Sequence, residues 1–567
     1  MVLATVLLLA LVIIPSAVAS PPHPDLWDRM NQDPSQAPYY WSHVRQLNDR
    51  GINQSGQANS LLSRLSPGRS EDAVPGSGDF RILALLVEFS DKAATVAAGQ
   101  FDSLIFSNDG KTVRDYYREV SYGQIDIVSV NLPSQLAWKT APQTYAYYVD
   151  GQNGIGNYPQ NTQGLVEDLV DLVDPQVDFA QYDNDGDGQV DLVMVIHAGS
   201  GAEFTGSDND IWSHEWAISP RQLDGVSIST FTIQPEFWIH PGDMTIGVCC
   251  HELGHAFGLP DLYDTDYSSH GIGKWGLMAL GTWLGPRNMG GSPAHLCAWS
   301  KTKIGILDPT NPTHNLSAVT IENVEENAVA YRLWQAGADS QEYFLIENRQ
   351  KVGYDAYLPG SGLLIWHIDE SRSGNYNEWY PDQDPSQHAL VALEQADGYY
   401  RMEQRSDAGN SADPFPGATN NTSFNALSSP SSDSYTDGVS FVAVDNIAAA
   451  SGIIMADLTV GLSSSQDDDS PAALPANILL AQNYPNPFNP TTTISFSTAQ
   501  GGAASLVVYN ALGQTVATVL NGQLPAGEHT VAWSARNSSG ESLPTGIYYY
   551  RLTVGDANTT RKMLLVR

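Results

Sequence analysis

The hydrophobic pattern changes period along the chain, and each change predicts an element. RILALLVEF (81–89) is an almost unbroken apolar run, the pattern of a buried strand. KTVRDYYREVSYG (111–123) sets its apolar side chains at helical spacing and ends on glycine. IDIVSVNL, VDLVMVIHAG and STFTIQPEFWI then return to strand patterns. Strands alternating with helices predict an α/β domain over 79–310. From 311 to 462 the pattern becomes short alternating or apolar runs between turn residues: AVAYRLWQA, EYFLIENR, GLLIWHID, HALVALEQ, GIIMADLTV. That predicts a β-rich, sandwich-like unit. SSSQDDDSPA (463–472) is a linker by composition. Residues 473–567 carry hairpin-like runs, SLVVYNALGQTVATVL, HTVAWSAR and GIYYYRLTV, that predict a small β-sandwich.

The first residues follow another logic. An apolar run to Ile14, then Pro15 and Ala17-Val18-Ala19, reads as a secretory signal peptide over 1–19, although no Lys or Arg precedes the run. Residues 20–78 are polar with little periodicity, apart from two possible short helices, LWDRMNQ and WSHVRQLNDR. A removable pro-segment and a disordered lead fit equally well; with no cysteine there, a cysteine-switch latency is excluded. No later stretch is long and apolar enough to cross a bilayer.

Charge narrows the partners. The formal net charge of −36 argues against nucleic acid and anionic membranes and suits an exported protein that binds cations. After 473 the balance turns slightly basic, which marks the tail as a separate module. The three cysteines, Cys249, Cys250 and Cys297, make no disulfide framework; Cys297 pairing with one of the adjacent two and three small buried side chains are both open.

The chemistry concentrates in HELGHAFGLPD (251–261). DMTIGVCCHELGHAFG reads as a helix, with Asp243 able to cap its first turn and Gly258 able to take the left-handed position past its end. His251 and His255, four apart, leave the same helix face, the spacing for two ligands on one zinc ion. Glu252 stands beside them, placed to take a proton from water activated by the metal. A third ligand is still needed. No glutamate occurs between Glu252 and Glu322, which disfavours a ligand from a later helix. Gly258 and Pro260 instead turn the chain back and deliver Asp261; Asp264 is the reserve candidate and His270 a weaker third. Met278, between glycines shortly after the motif, is a candidate for an apolar floor beneath the histidines.

DNDGDGQVD (183–191) is a second candidate metal site. Asp183, Asp185 and Asp187 hold positions 1, 3 and 5 of a calcium loop, Gly188 the turn, Gln189 a carbonyl and Asp191 position 9. Position 12 is Met194 and a strand follows, so this is a DxDxDG loop and not an EF-hand. An acidic turn without an ion is the plain alternative.

Beyond the metal motif, RDYYREVSYG, DIWSHEW, GVCCHELGHAFGLPDLYD, WGLMALGTW and SPAHLCAWSKTKIGIL resemble, in order, blocks of the M6 (immune inhibitor A-like) metallopeptidases. EYFLIENRQ, GLLIWHID and LEQADG resemble the β-rich region that follows in that family. The resemblance implies a metzincin-like zincin catalytic domain, a secreted zinc endopeptidase acting on proteins, and the pattern HExxHxxGxxD filled by His251, Glu252, His255 and Asp261. His214 lies in a family-like block; a substrate or oxyanion role and a structural hydrogen bond are both open. NYPNPFNPTTTISF (483–496) with GIYYYRLTV (546–554) resembles a type IX secretion sorting domain, an Ig-like β-sandwich. That implies the type IX machinery as a partner and the surface or medium of a Gram-negative bacterium as the location.

Overall fold

The computed structural model describes residues 18–43 and 78–566, except 266–267, 382, 385, 436–437, 462–477, 481–482, 484–485, 487, 499–500, 511–513, 538–539 and 556. Most of the expected signal peptide and all of the expected linker therefore lie outside the described residues. The chain divides into two compact units. The first contains residues 1–307 with the short segments 351–358 and 373–376; the second contains the remainder, so the expected β-rich region and the C-terminal sandwich fall in one unit.

The first unit is built on a six-stranded mixed sheet. Its members are β1 (Val18–Ala19), β3 (Leu83–Glu88), β5 (Lys139–Thr140), β6 (Val193–His197), β7 (His214–Leu223) and β8 (Val226–Pro235), while β2 (Gly78–Arg81) and β4 (Ile125–Val128) pair separately. The order is β1-β7-β8-β6-β3-β5. The centre, β8-β6-β3-β5, is parallel, and β7 runs antiparallel to β8. Parallel strands are covered on both faces, and the apolar runs expected of them are present: every residue of β6 is buried, as is all of β3 but its last.

Four helices matter for the site: α1 (Pro24–Gln32), α2 (Val113–Val120), α3 (Thr162–Val173) and α4 (Ile246–Ala256). In α2 the buried side chains are Val113, Tyr116, Tyr117 and Val120, the i, i+3, i+4, i+7 stripe of an amphipathic helix. Thr112 caps it, its hydroxyl accepting from the Asp115 amide at 3.0 Å. Tyr117 donates its hydroxyl to the Cys250 carbonyl at 2.7 Å, fastening α2 to α4. All eleven residues of α4 are buried. It starts later than the sequence suggested. Thr245 precedes the first helical residue, and Asp243 instead accepts hydrogen bonds from the amides of Trp238, Ile239 and His240, closing the preceding turn. Cys249 and Cys250 are buried free thiols, and Cys297 Sγ lies 3.4 Å from Ser300 Oγ.

The second unit is antiparallel throughout its main sheets. A four-stranded sheet runs Tyr331–Leu333, Glu342–Arg349, Gly362–Asp369, Val391–Leu393, and a three-stranded one joins Val442–Ala450, Ile453–Val460 and Leu316–Ile321. The family-like strings there build a buried ionic cluster. His367 sits 3.0 Å from Glu342 and 3.1 Å from Glu394, and despite burial these carboxylates raise its pKa to about 9. In the C-terminal part, a three-stranded and a four-stranded sheet share one core, with Phe496 and Ile494 from the first meeting Leu506, Val508, Tyr550 and Leu552 from the second. That is the expected small β-sandwich.

Candidate metal centre

Helix α4 and the turn that ends it bring three donor groups together. Gly258 has φ +85°, the left-handed conformation that glycine adopts without strain, and Pro260 follows before Asp261. The turn carries Asp261 back beneath the histidines. His251 Nε2 lies 3.1 Å from Asp261 Oδ1 and 3.1 Å from His255 Nε2, and His255 Nε2 lies 3.3 Å from Asp261 Oδ1. All three side chains are buried.

The rings are held by their other nitrogens. His251 Nδ1 contacts the Leu277 carbonyl at 2.9 Å and His255 Nδ1 the Leu259 carbonyl at 2.8 Å. A carbonyl only accepts, so each Nδ1 carries the proton and donates it. Each neutral ring then presents an Nε2 lone pair to the other ring and to a carboxylate. Lone pairs at 3.1 Å repel unless a cation stands among them. Their mutual spacing also equals the edge of a tetrahedron whose centre-to-ligand bonds are roughly 2.0 Å, the zinc–nitrogen distance. The donor set and its spacing fit zinc. With no cation present, protons must compensate. Burial acts to lower the His255 pKa, but Asp261 outweighs it and the net shift is upward; burial lowers His251; and burial of Asp261 is outweighed by the histidines, which hold it low.

Glu252 is fully buried beside this cluster, and neither carboxylate oxygen has a hydrogen-bond partner of normal geometry among the described residues. Burial first, then the charges of Asp261, Glu203 and Glu215, push its pKa well above the carboxylate range. A carboxyl so placed is a poor ion by itself and a ready proton acceptor once a cation neutralises Asp261.

The remaining candidates fall in several places. Met278 lies under α4: a Cβ on Gly254, between the two histidines, would come within 2.6 Å of the Met278 sulfur. It also accepts a hydrogen bond from the Leu262 amide at 2.7 Å through its carbonyl. Asp264 is turned elsewhere, accepting from the Ser269 amide and the Ser268 hydroxyl at 2.8 Å each. His270 is packed 5.0 Å from Trp27, ring centre to ring centre. Neither belongs to the cluster. His214 engages Thr162 Oγ1 at 2.8 Å and the Trp212 carbonyl at 2.6 Å, and burial lowers its pKa to about 4. Those contacts use both ring nitrogens away from the metal cluster.

At the acidic loop, Asp183, Asp185 and Asp187 come together, partly exposed. Asp183 accepts from the amides of Asp187 and Gly188, and Asp185 accepts from Asp187. Gln189 turns its side chain to Asp187, while Asp191 accepts from the amide and side chain of Asn184. Asp191 thus stands outside the three-carboxylate group.

Sequence reading did not foresee how the end of the expected signal peptide and the start of the lead segment lie. Val18 and Ala19, the last two residues of the expected signal peptide, add antiparallel to the rim strand β7, opposite Glu215 and His214. Tyr263 donates to the Ala19 carbonyl at 2.6 Å, and the Ser20 amide approaches the Glu252 carboxylate. His23 sits in an aromatic box, 4.8 Å from Phe204 and 4.9 Å from Trp283. Tyr40 and Trp41 stack on Trp212 at 4.9 and 5.6 Å. The length of chain between these residues and the motif, and the polarity of the segment, left no periodic signal to reveal the contact.

Residues 76–305 match the family described as immune inhibitor A peptidase M6, catalytic domain, and residues 483–558 match the FlgD Ig-like domain. Immune inhibitor A of Bacillus thuringiensis subsp. alesti is 35% identical over 206 residues, covering 31% of this chain and 29% of that protein. The pre-pro-metalloprotease PrtV of Vibrio cholerae is 29% identical over 279 residues, covering 39% of this chain and 29% of that protein. These matches support the M6 peptidase family for the first unit, while the aligned region spans less than a third of either relative. Among solved structures, dimeric latent PorU from Porphyromonas gingivalis aligns over 22% of this chain and 12% of its own, at 17% identity and a TM-score of 0.16, too low to bear on the fold.

Proposed function

We propose that the chain is a secreted zinc-dependent endopeptidase with a metzincin-like catalytic unit. The observation that carries this reading is the convergence of His251 Nε2, His255 Nε2 and Asp261 Oδ1 at tetrahedral spacing, with Glu252 next to them. A zinc ion held by these three side chains would supply Lewis acidity toward water and toward a peptide carbonyl. Glu252 takes the proton of the attacking water and hands it to the leaving nitrogen. The Leu259 and Leu277 carbonyls keep both imidazoles in the tautomer that presents Nε2.

Three further readings belong to the same proposal. Residues 20–78 act as a pro-segment; the support is that Ser20 and Tyr40 are buried beside Glu252. The carboxylates of Asp183, Asp185 and Asp187 hold calcium, which stabilises the first unit without touching the chemistry. The C-terminal sandwich serves as a type IX sorting domain, supported by the Asn-Pro repeats of its sequence and its Ig-like build, with the signal peptide directing the first export step. The test of the central claim is hydrolysis of casein by purified chain with and without a zinc chelator. Activity that survives complete chelation would exclude the mechanism. Deletion of residues 473–567 in a host with type IX secretion tests the sorting role, which fails if the truncated chain reaches the cell surface in normal yield.

A further inference from the structure

Successive side chains of a strand leave on opposite faces. On β7, His214 is tied to Thr162 and the Trp212 carbonyl, whereas Glu215 lies on the other face, where its charge acts on His255 and Glu252. β1 shows that this rim accepts an added extended strand: Val18 pairs with Glu215 and Ala19 with His214. Main-chain pairing of that kind binds peptides generally, with specificity coming from whatever the alternate side chains meet. Residues directly opposite in an antiparallel pair project to the same face, with Cβ atoms about 5 Å apart. A peptide docked in the register of β1 therefore sets one side chain beside the Glu215 carboxylate.

That carboxylate is unlike the other acids nearby. Glu203 is satisfied by the Ser213 hydroxyl at 2.5 Å and the Ser213 amide at 3.2 Å. Asp261 and Glu252 belong to the metal centre. Glu215 is 8% exposed and accepts no hydrogen bond among the described residues. A buried carboxylate without a donor is costly as an ion, and an incoming cation removes that cost.

Resting on the peptidase reading above, we propose that Glu215 determines specificity: the groove selects peptides that carry Lys or Arg at the position pairing with Glu215. The ammonium or guanidinium supplies the missing donors, and the net charge of −36 favours the encounter with cationic peptides.

The experiment uses the chain in the form that hydrolyses casein. A mixed-sequence peptide library is digested by the wild type, Glu215→Gln and Glu215→Lys, and cleavage sites are mapped by mass spectrometry. The wild type should favour Lys or Arg over Ala at one fixed position relative to the cut, by at least about 10-fold. Glu215→Gln should flatten that position alone, read as the ratio of kcat/KM for the Lys peptide to that for the Ala peptide, because any rate change from the lost charge beside Glu252 is common to both peptides and cancels in the ratio. Glu215→Lys should move the preference to Asp or Glu. Zinc content and Tm are measured for each variant. A wild type without basic preference overturns the proposal, as does a Glu215→Gln variant that loses all peptides equally or loses zinc. Failure of casein hydrolysis in the first place would strike the peptidase reading, so the two failures are separable.

Discussion

The chain holds two clusters with the outline of a metal site, and they are built in opposite ways. His251, His255 and Asp261 are buried, and their donor atoms face one another, with both Nδ1 atoms already committed to backbone carbonyls. Asp183, Asp185 and Asp187 are half-buried to exposed, and their oxygens accept hydrogen bonds from amides of their own loop. The first arrangement is frustrated until a cation enters, because lone pairs and a carboxylate face inward with little water near. The second is already satisfied as an Asx-type turn, and a cation there would only add to a loop that closes without it. Convergence and burial, more than the count of ligand-type residues, separate a site that demands a metal from one that tolerates it.

The comparison can be broken at several points. The largest effect is expected at Glu252. Glu252→Gln should keep zinc and lose hydrolysis by about 10²- to 10⁴-fold, since it removes the proton acceptor and leaves every ligand in place. Metal content and casein turnover measured on the same sample decide this, and near-wild-type turnover would refute the role. Next comes the third ligand. Asp261→Ala should lower both zinc content and activity, whereas Asp264→Ala, whose side chain is engaged with Ser268 and Ser269, should leave zinc in place. The reverse pattern would reassign the ligand.

A smaller contrast concerns stability. Stripping zinc should lower Tm more than stripping calcium with zinc held constant, because only the zinc cluster is left with uncompensated inward lone pairs. Occupancy at 100 times Kd is worth about 2.7 kcal/mol by linkage, so either shift is a matter of degrees. Calorimetry with each ion removed in turn gives the order, and a larger calcium effect would invert the comparison. The smallest effect belongs to the loop itself. Asp183→Asn combined with Asp185→Asn should mimic calcium removal in Tm and in resistance to self-digestion, with kcat/KM unchanged. A melting curve indifferent to calcium would leave the loop as an ordinary turn.

Much of this was legible before any coordinates. The period of α2, the apolar run of β3 and the i, i+4 histidines of α4 are local patterns, and local patterns fix local elements. That Asp261 and not Asp264 returns to the histidines was also legible, because Gly258 and Pro260 constrain the chain for the three residues that matter. Asp243 was misread as a helix cap: an aspartate two residues before Thr245 satisfies the cap rule on paper, yet the amides of Trp238, Ile239 and His240 compete for it and win. The domain expectation differed in a comparable way, since residues 351–358 and 373–376 belong to the first unit although the strand pattern around them belongs to the second.

Sequence by itself determined the shared helix face of His251 and His255, the turn that returns Asp261 to them, and the acidic spacing of 183–187, because each depends on backbone geometry over fewer than a dozen residues. Only the tertiary structure decided what surrounds them. It set Met278 under Gly254, gave Glu203 a hydrogen-bond partner in Ser213 and Glu215 none among the described residues, and laid Ala19 and Ser20 along β7 beside Glu252. Those outcomes depend on segments far apart in the chain meeting at a shared surface, and burial, which tunes every charge in the centre, exists only once they have met.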